Sequence, residues 1–267
     1  MPSMLTGMKR PSAKWLSLIP VLLFGIAYLD RQNAGATTDW RSASRAPMGL
    51  APDPAITPEP VVQLYAARAV RWRGYIGVHT WIAVKPRAAQ RFTVYEVNGW
   101  RLRRTGTSIS VGDRAPDSRW FGSAPTLLAE RRGDGVEDMI ARIEAAVAAY
   151  PYADTYRVWP GPNSNTFTAF VLRAVPELRA DLPATAIGKD YLGASLFASA
   201  PSGTGMQFNV LGIFGVLAGI EEGLELNVLG LTFGVDPLQL SLKLPLAGRV
   251  GWPVACESAA PNCTAAD

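Results

Sequence analysis

The sequence predicts an α+β domain in which an antiparallel sheet packs on two core helices and a β-hairpin extends the C-terminal side. Three observations carry that expectation. Between residues 61 and 111, runs rich in β-branched and aromatic residues are separated by Gly, Pro or charged breaks, which is a strand-turn-strand pattern. Apolar residues then recur at helical spacing twice, over 138–150 and 165–175. Beyond residue 200 the chain returns to short apolar runs broken by glycine. With 267 residues, 48% of them hydrophobic and 18% charged, the chain is long enough to bury a core in one large domain with appendages.

The first appendage is residues 1–36. A basic stretch ending at Lys14 precedes the apolar run Trp15 to Leu29, and Ala34-Gly35-Ala36 has the small-x-small form of a cleavage site. The run fits the apolar core of a signal peptide and falls short of the ~20 residues that span a bilayer comfortably. A cleaved signal peptide, an uncleaved signal-anchor and a buried N-terminal helix are the three readings. The first two export the chain and place its bulk outside the cytoplasm, in the second case held at a membrane through residues 15–29. Residues 37–60 contain Pro47, Pro52, Pro54, Pro58 and Pro60, a spacing that excludes regular helix and predicts a tether or a surface-wrapping arm.

The single α+β domain is expected over 61–250. Strands are predicted at Val61 to Ala69, Tyr75 to Val84, Phe92 to Val97, Trp100 to Arg104 and Thr107 to Val111. Asp134 and Glu137 have capping-box spacing and open a helix over 138–150, ended by Pro151. A short strand Tyr156 to Trp159 is expected next, then a Pro/Gly turn, then a second helix over 165–175 stopped by Pro176. Further on, Phe208-Asn-Val-Leu-Gly-Ile213 is echoed by Leu226-Asn-Val-Leu-Gly-Leu231. The two stretches are predicted to pair as strands around an acidic turn, Glu221-Glu222-Gly223, in water. The alternative is a hairpin that dips into a membrane interface. The tail, 251–267, holds Cys256 and Cys263, either bonded in an oxidising compartment or two thiols of no consequence.

Charge narrows the partners. Residues 1–36 hold Lys9, Arg10, Lys14 and Arg31 against Asp30, so most of the formal +4 belongs to the N-terminus and +1 remains for the rest. A nucleic-acid surface loses its support on that count. One histidine and two tail thiols build no metal site, and no cofactor motif is present. Ser202-Gly-Thr-Gly205 reads as a plain turn in preference to an anion cradle. Arg101, Arg103 and Arg104 beside Trp100 read as a solvated edge or as a face for lipid headgroups.

Chemistry concentrates on two segments. In Trp159-Pro-Gly-Pro-Asn163-Ser164-Asn165-Thr-Phe167 a turn restricted by two prolines presents a hydroxyl at the start of an apolar helix. That is good helix capping, and it is also a place where partial positive charge and free N–H groups assist a nucleophile. The only histidine, His79, lies on a predicted strand with Trp81 on the same face. Glu96 lies on the next strand, where a carboxylate can hold an imidazole in its proton-accepting tautomer. Trp81 and Trp159, with Asn163 and Asn165, are candidate binding residues, and an exposed strand glutamate or a structural histidine are the plainer meanings of Glu96 and His79.

The runs Gly74-Tyr-Ile-Gly-Val-His-Thr-Trp-Ile-Ala-Val-Lys-Pro86 and Trp159 to Phe167, with Ala186-Ile-Gly-Lys-Asp-Tyr191 and Glu222-Gly-Leu-Glu-Leu-Asn227, resemble a family of exported proteobacterial proteins known only as a domain of unknown function. That resemblance covers most of residues 38–251 and implies no activity; with the export reading it implies a bacterial cell envelope, the chain being periplasmic or held at the inner membrane through residues 15–29. A more distant one rests on order: histidine on a strand, glutamate on the next, a nucleophile opening a core helix. This is similar to the circularly permuted papain-like peptidases and acyltransferases of the NlpC/P60 class, whose helix begins Asn-Cys-x-x-Phe where this chain has Asn163-Ser164-Asn165-Thr166-Phe167. It implies a permuted papain-like fold, with Ser164 as nucleophile, His79 as base and Glu96 as orienting acid. The implied substrate is an amide or ester of lipid or cell wall. Serine in place of cysteine leaves either a serine hydrolase or a non-catalytic envelope module that kept a binding cleft.

Overall fold

The structure, a computed structural model, describes residues 41–251. The N-terminal apolar run and both cysteines lie outside the described residues. Among the described residues two antiparallel sheets and three α-helices make an α+β architecture with a hairpin-built C-terminal region, as the sequence predicts.

The first sheet has the order β4-β3-β2-β1-β5, where β1 is Val61–Arg68, β2 Val78–Lys85, β3 Thr93–Val97, β4 Ile109–Gly112 and β5 Thr126–Arg132. Its two faces are both covered, which is why β1 reads as a nearly unbroken apolar run with no alternation. On one face Val62, Leu64, Ile82, Val84, Tyr95 and Val97 pack against helices α2 (Val136–Ala148) and α3 (Ser164–Leu172). On the other, Val61, Tyr65, Trp81, Ala83 and Val94 pack with Phe92 and Trp120. The Pro-rich arm wraps this second side: the backbone N–H groups of Met48 and Leu50 donate to Asp117 Oδ2 at 3.1 and 2.7 Å.

Several local expectations are corrected. Tyr75 closes a 3-10 turn, Arg71–Tyr75, so β2 begins only at Val78. Trp100 to Arg104 is not a strand but part of helix α1, Gly99–Thr105, closed by the left-handed Gly106; Trp and Arg on alternating positions mimic a strand edge in a short segment. Strand β5 went unread because its buried face is only partly covered. Helix α2 is capped by Gly135 without a side-chain bond, so Asp134 and Glu137 form no capping box, although Glu137 and Asp138 sit in the first turn. Tyr156 to Trp159 is irregular chain.

The second sheet is a meander, β12-β11-β10-β9-β8-β7-β6. Its strands are β6 Phe197–Ser199, β7 Gly205–Val210, β8 Phe214–Gly219, β9 Gly223–Val228, β10 Leu231–Asp236, β11 Ser241–Leu244 and β12 Gly248–Gly251. The echoed stretches do not pair with each other, because β8 runs between β7 and β9. Each is instead a strand end feeding the same kind of turn. Leu211-Gly212 and Leu229-Gly230 both take positive φ, and the side chains of Asn209 and Asn227 accept from Gly212 N and Gly230 N at 2.6 and 3.0 Å. Asn-Val-Leu-Gly is thus a hairpin code, since Gly tolerates the left-handed region and the asparagine satisfies its amide. The acidic turn is not in water either: Glu222 is buried and accepts from Ser202 N and Ser202 Oγ at 3.0 and 2.7 Å. The Ser202 turn therefore does hold an anion, a carboxylate of its own chain.

Candidate active site

The β2–β3 ladder is short. Paired register runs from Val84–Thr93 to Ile82–Tyr95 and stops, so the ends of the two strands part where His79 and Glu96 stand. Strand alternation turns His79 away from Thr80, onto the face where Trp81 and Trp120 pack. His79 Nε2 lies 3.0 Å from Glu96 Oε2, both side chains being buried. Arg114 donates to the same oxygen at 3.2 Å, and Asn98 Nδ2 donates to Glu96 Oε1 at 3.2 Å. Trp120 stacks on the imidazole with ring centroids 3.7 Å apart and planes 7° from parallel.

These contacts set the charges. Burial is the largest influence on His79 and pushes its pKa below the ordinary value; it outweighs the upward pull of Glu96. Burial works against the Glu96 carboxylate too, but the hydrogen bond from His79, with Arg114 and Asn98, more than offsets it and holds Glu96 below its ordinary range. A neutral imidazole beside an ionised carboxylate is the result. Its Nε2–H donates to Glu96, a tautomer assigned from this network, so the lone pair is on Nδ1.

Ser164 is the first residue of α3. Asn163 caps the helix: its side chain accepts from Asn165 N and Thr166 N at 2.9 and 3.2 Å, and Thr166 Oγ1 accepts from Asn163 N at 3.1 Å. The Asn163 amide also donates to Val158 O and Ile187 O. Asn165 ties the helix to the histidine strand. Its Nδ2 donates to Val78 O at 3.0 Å and its Oδ1 accepts from Thr80 Oγ1 at 3.0 Å, so it grips both neighbours of His79. Both prolines of the preceding turn follow cis peptide bonds.

His79 and Ser164 line one cavity of about 570 Å³. Asn98, Trp72, Trp100, Trp120 and Trp159 share its wall with Arg73 and Arg103. Among the described residues no hydrogen bond joins Ser164 Oγ to His79, and His79 Nδ1 and the Ser164 N–H make none to other groups. Asn163 and Asn165 reach the wall with their amides already committed to backbone and helix. Trp159 is half exposed and donates to Leu229 O at 2.8 Å. Trp81 does not line the cavity; it is wholly buried, stacks on Tyr65 and donates to Pro116 O at 2.8 Å.

Sequence reasoning passed over Asn98, Arg114 and Trp120. Asn98 follows Glu96 by two residues and so shares its face, a signal within reach; its Oδ1 is buried without a partner. Arg114 and Trp120 arrive from an irregular loop that no periodicity describes. Among the described residues no cluster of three His, Cys, Asp or Glu side chains is placed to hold a metal ion, and no helix is long and apolar enough to cross a membrane.

No curated protein and no solved structure matches the chain. A family model does match, over residues 59–191. This span is narrower than the 38–251 expected and ends before Glu222 to Asn227. All the side chains that build the cavity fall inside it, and over that span the chain is similar to the family described as protein of unknown function (DUF3750).

Proposed function

We propose that the cavity is the site of a papain-like hydrolase or acyltransferase of the cell envelope, acting on an amide or ester. The observation that carries this reading is the meeting, in one cavity, of a buried histidine held through Nε2 by Glu96 and a hydroxyl at the first residue of a helix. In the reaction, Ser164 Oγ attacks the acyl carbon while His79 Nδ1 takes its proton. The tetrahedral oxyanion faces the Ser164 N–H at the positive helix end. His79 then returns the proton to the leaving amine or alkoxide, and water or a second acceptor takes the acyl group from Ser164 by the reverse steps. Since Oγ and Nδ1 are not hydrogen-bonded, the transfer requires a change of Ser164 rotamer or one bridging water.

A specific observation favours a second reading, a non-catalytic envelope module: the same absence of a Ser164–His79 bond, combined with walls of four tryptophans, suits a pocket that binds a lipid or cell-wall fragment and does nothing further to it. Labelling by a serine-reactive fluorophosphonate separates the two. The hydrolase reading expects labelling of the wild type, its loss in Ser164→Ala, and a rate lower by about 10²–10⁴-fold in His79→Ala, the usual worth of a general base. A wild type that does not label, but whose tryptophan fluorescence responds to amphiphiles, would favour the binding module.

A further inference from the structure

The C-terminal sheet is built inside out for a surface in water. Its buried side carries Gln207, Asn209, Glu225, Asn227, Asp236 and Lys243, all under 5% exposed. The opposite side is apolar, and the strand register arranges it in rows. One row runs Phe197, Phe208, Val216, Leu226 and Phe233; a second runs Met206, Ala218, Leu224, Val235, Leu242 and Val250; a third runs Val210, Phe214, Val228 and Leu231. No charged side chain interrupts them. Phe197 is 66% exposed, Met206 61% and Leu224 52%. Antiparallel sheets with one wet face present polar side chains there, and contiguous apolar surface on this scale marks an interaction site.

We infer that this face docks on an anionic phospholipid surface. Two features of the chain select lipid over a protein partner. The apolar surface continues onto the turn tips Leu211 and Leu229, and Trp159 donates to Leu229 O, so the sheet runs directly into the cavity wall. There Trp72, Trp100 and Trp159 are exposed beside Arg73 and Arg103, the amphipathic rings and cations that settle at headgroup level. The sequence supplies the second feature, the run Trp15 to Leu29 behind a cationic flank, which points the same chain at a membrane. An open sheet leaves edge amides that hydrocarbon cannot satisfy, so the face lies along the interface and does not span it. The cavity mouth then opens at the level where an amphiphile's headgroup meets its chains.

The test must distinguish the sheet from the N-terminal run, so it reads position and not sedimentation. In the full chain carrying Cys256→Ser and Cys263→Ser, an environment-sensitive fluorophore is attached at V216C, in the middle of the face, or at A145C on the exposed side of α2. On vesicles of phosphatidylcholine and phosphatidylglycerol the probe at V216C is expected to shift to the blue and to be quenched by bilayer-borne quenchers, while that at A145C is not. Leu226→Glu with Phe233→Lys, opposite charges directly across β9 and β10, should abolish that quenching and leave the native circular dichroism spectrum unchanged. A V216C probe that stays in water while the chain sediments with vesicles overturns the inference. So does one already shielded without lipid in a concentration-dependent way, which would identify a second copy of the chain as the occupant. Equal quenching on phosphatidylcholine alone overturns the anionic part.

Discussion

His79 is useful as a base only while it is neutral, and its surroundings keep it so. Burial against Trp120 depresses its pKa from an ordinary 6.5. A group whose folded pKa is depressed favours the folded state above its unfolded pKa and loses that contribution as pH falls through the folded value. Stability is therefore expected to be flat at neutral pH and to decline below about pH 6.5, each unit of depression being worth about 1.4 kcal/mol. Glu96, also depressed, adds a further loss at more acid pH, in the same direction. In His79→Gln the first decline should vanish and only the carboxylate limb remain, as read by urea unfolding at a series of pH values; identical profiles would mean that folding does not depress the pKa of the ring. The rate of any acyl transfer should fall on the acid side through the same group. At this scale much was legible in the sequence. A single histidine, a carboxylate on the next strand and a helix-opening serine are visible in a string of letters. The Trp120 ring that covers the histidine was not, because it depends on a loop brought in from 20 or more residues away by tertiary packing alone.

The element that organises the site is the start of α3, where capping and chemistry were offered as rival explanations of one turn. They fall on different residues. Asn163 caps, Asn165 binds Val78 and Thr80 on either side of the histidine, and Ser164 between them makes no side-chain hydrogen bond among the described residues. That division gives a two-way contrast. Asn165→Ala takes the side-chain donor from Val78 O, while Ile187 O keeps Asn163 Nδ2, and is expected to destabilise by about 1–3 kcal/mol, the cost of one buried group left unsatisfied. Ser164→Ala removes no bond and should unfold within about 0.5 kcal/mol of the wild type while abolishing fluorophosphonate labelling. Thermal and urea unfolding of the two variants, run beside the labelling assay, check it; a large loss of stability in Ser164→Ala would return the hydroxyl to a structural role. The helices and most strands were readable because their apolar period matched one buried face. The failures came where that link breaks: α1 has no buried residue, β5 is half covered, and the echoed hairpins present apolar side chains outward, so their pattern gives strands but not their partners.

Across the whole molecule, the second sheet is tied by charge to the irregular chain that follows the helices. Lys189 and Asp190 follow the helix region, and nothing in those two letters announced a role. Folded, Lys189 donates to Glu225 on β9 and to Asp190 Oδ1, and Lys243 on β11 donates to the other Glu225 oxygen at 2.7 Å. Glu225 is thus shared by two buried ammonium groups, and Asp190 reaches Asn227 and Gln207 on the same sheet. Burial opposes the charge of Lys189, but Asp190 and Glu225 outweigh it and raise its pKa above the ordinary 10.5. This polar clamp explains how a sheet can turn its apolar side outward: its inner side is occupied by the network. A buried ion cluster is costly to break at one member, because the partners stay behind uncompensated. Glu225→Ala is therefore expected to lower stability at neutral pH by about 3–5 kcal/mol. Its pH dependence should differ as well. Glu225 is one of the two neighbouring carboxylates that raise the Lys189 pKa, so in the variant that pKa is raised less. The wild type has this contribution in full below 10.5 and loses it as pH rises above that value, and the variant has less to lose. Urea unfolding of both proteins across about pH 8–12 reads the difference: curves that converge above pH 10.5 support the clamp, and parallel curves refute it.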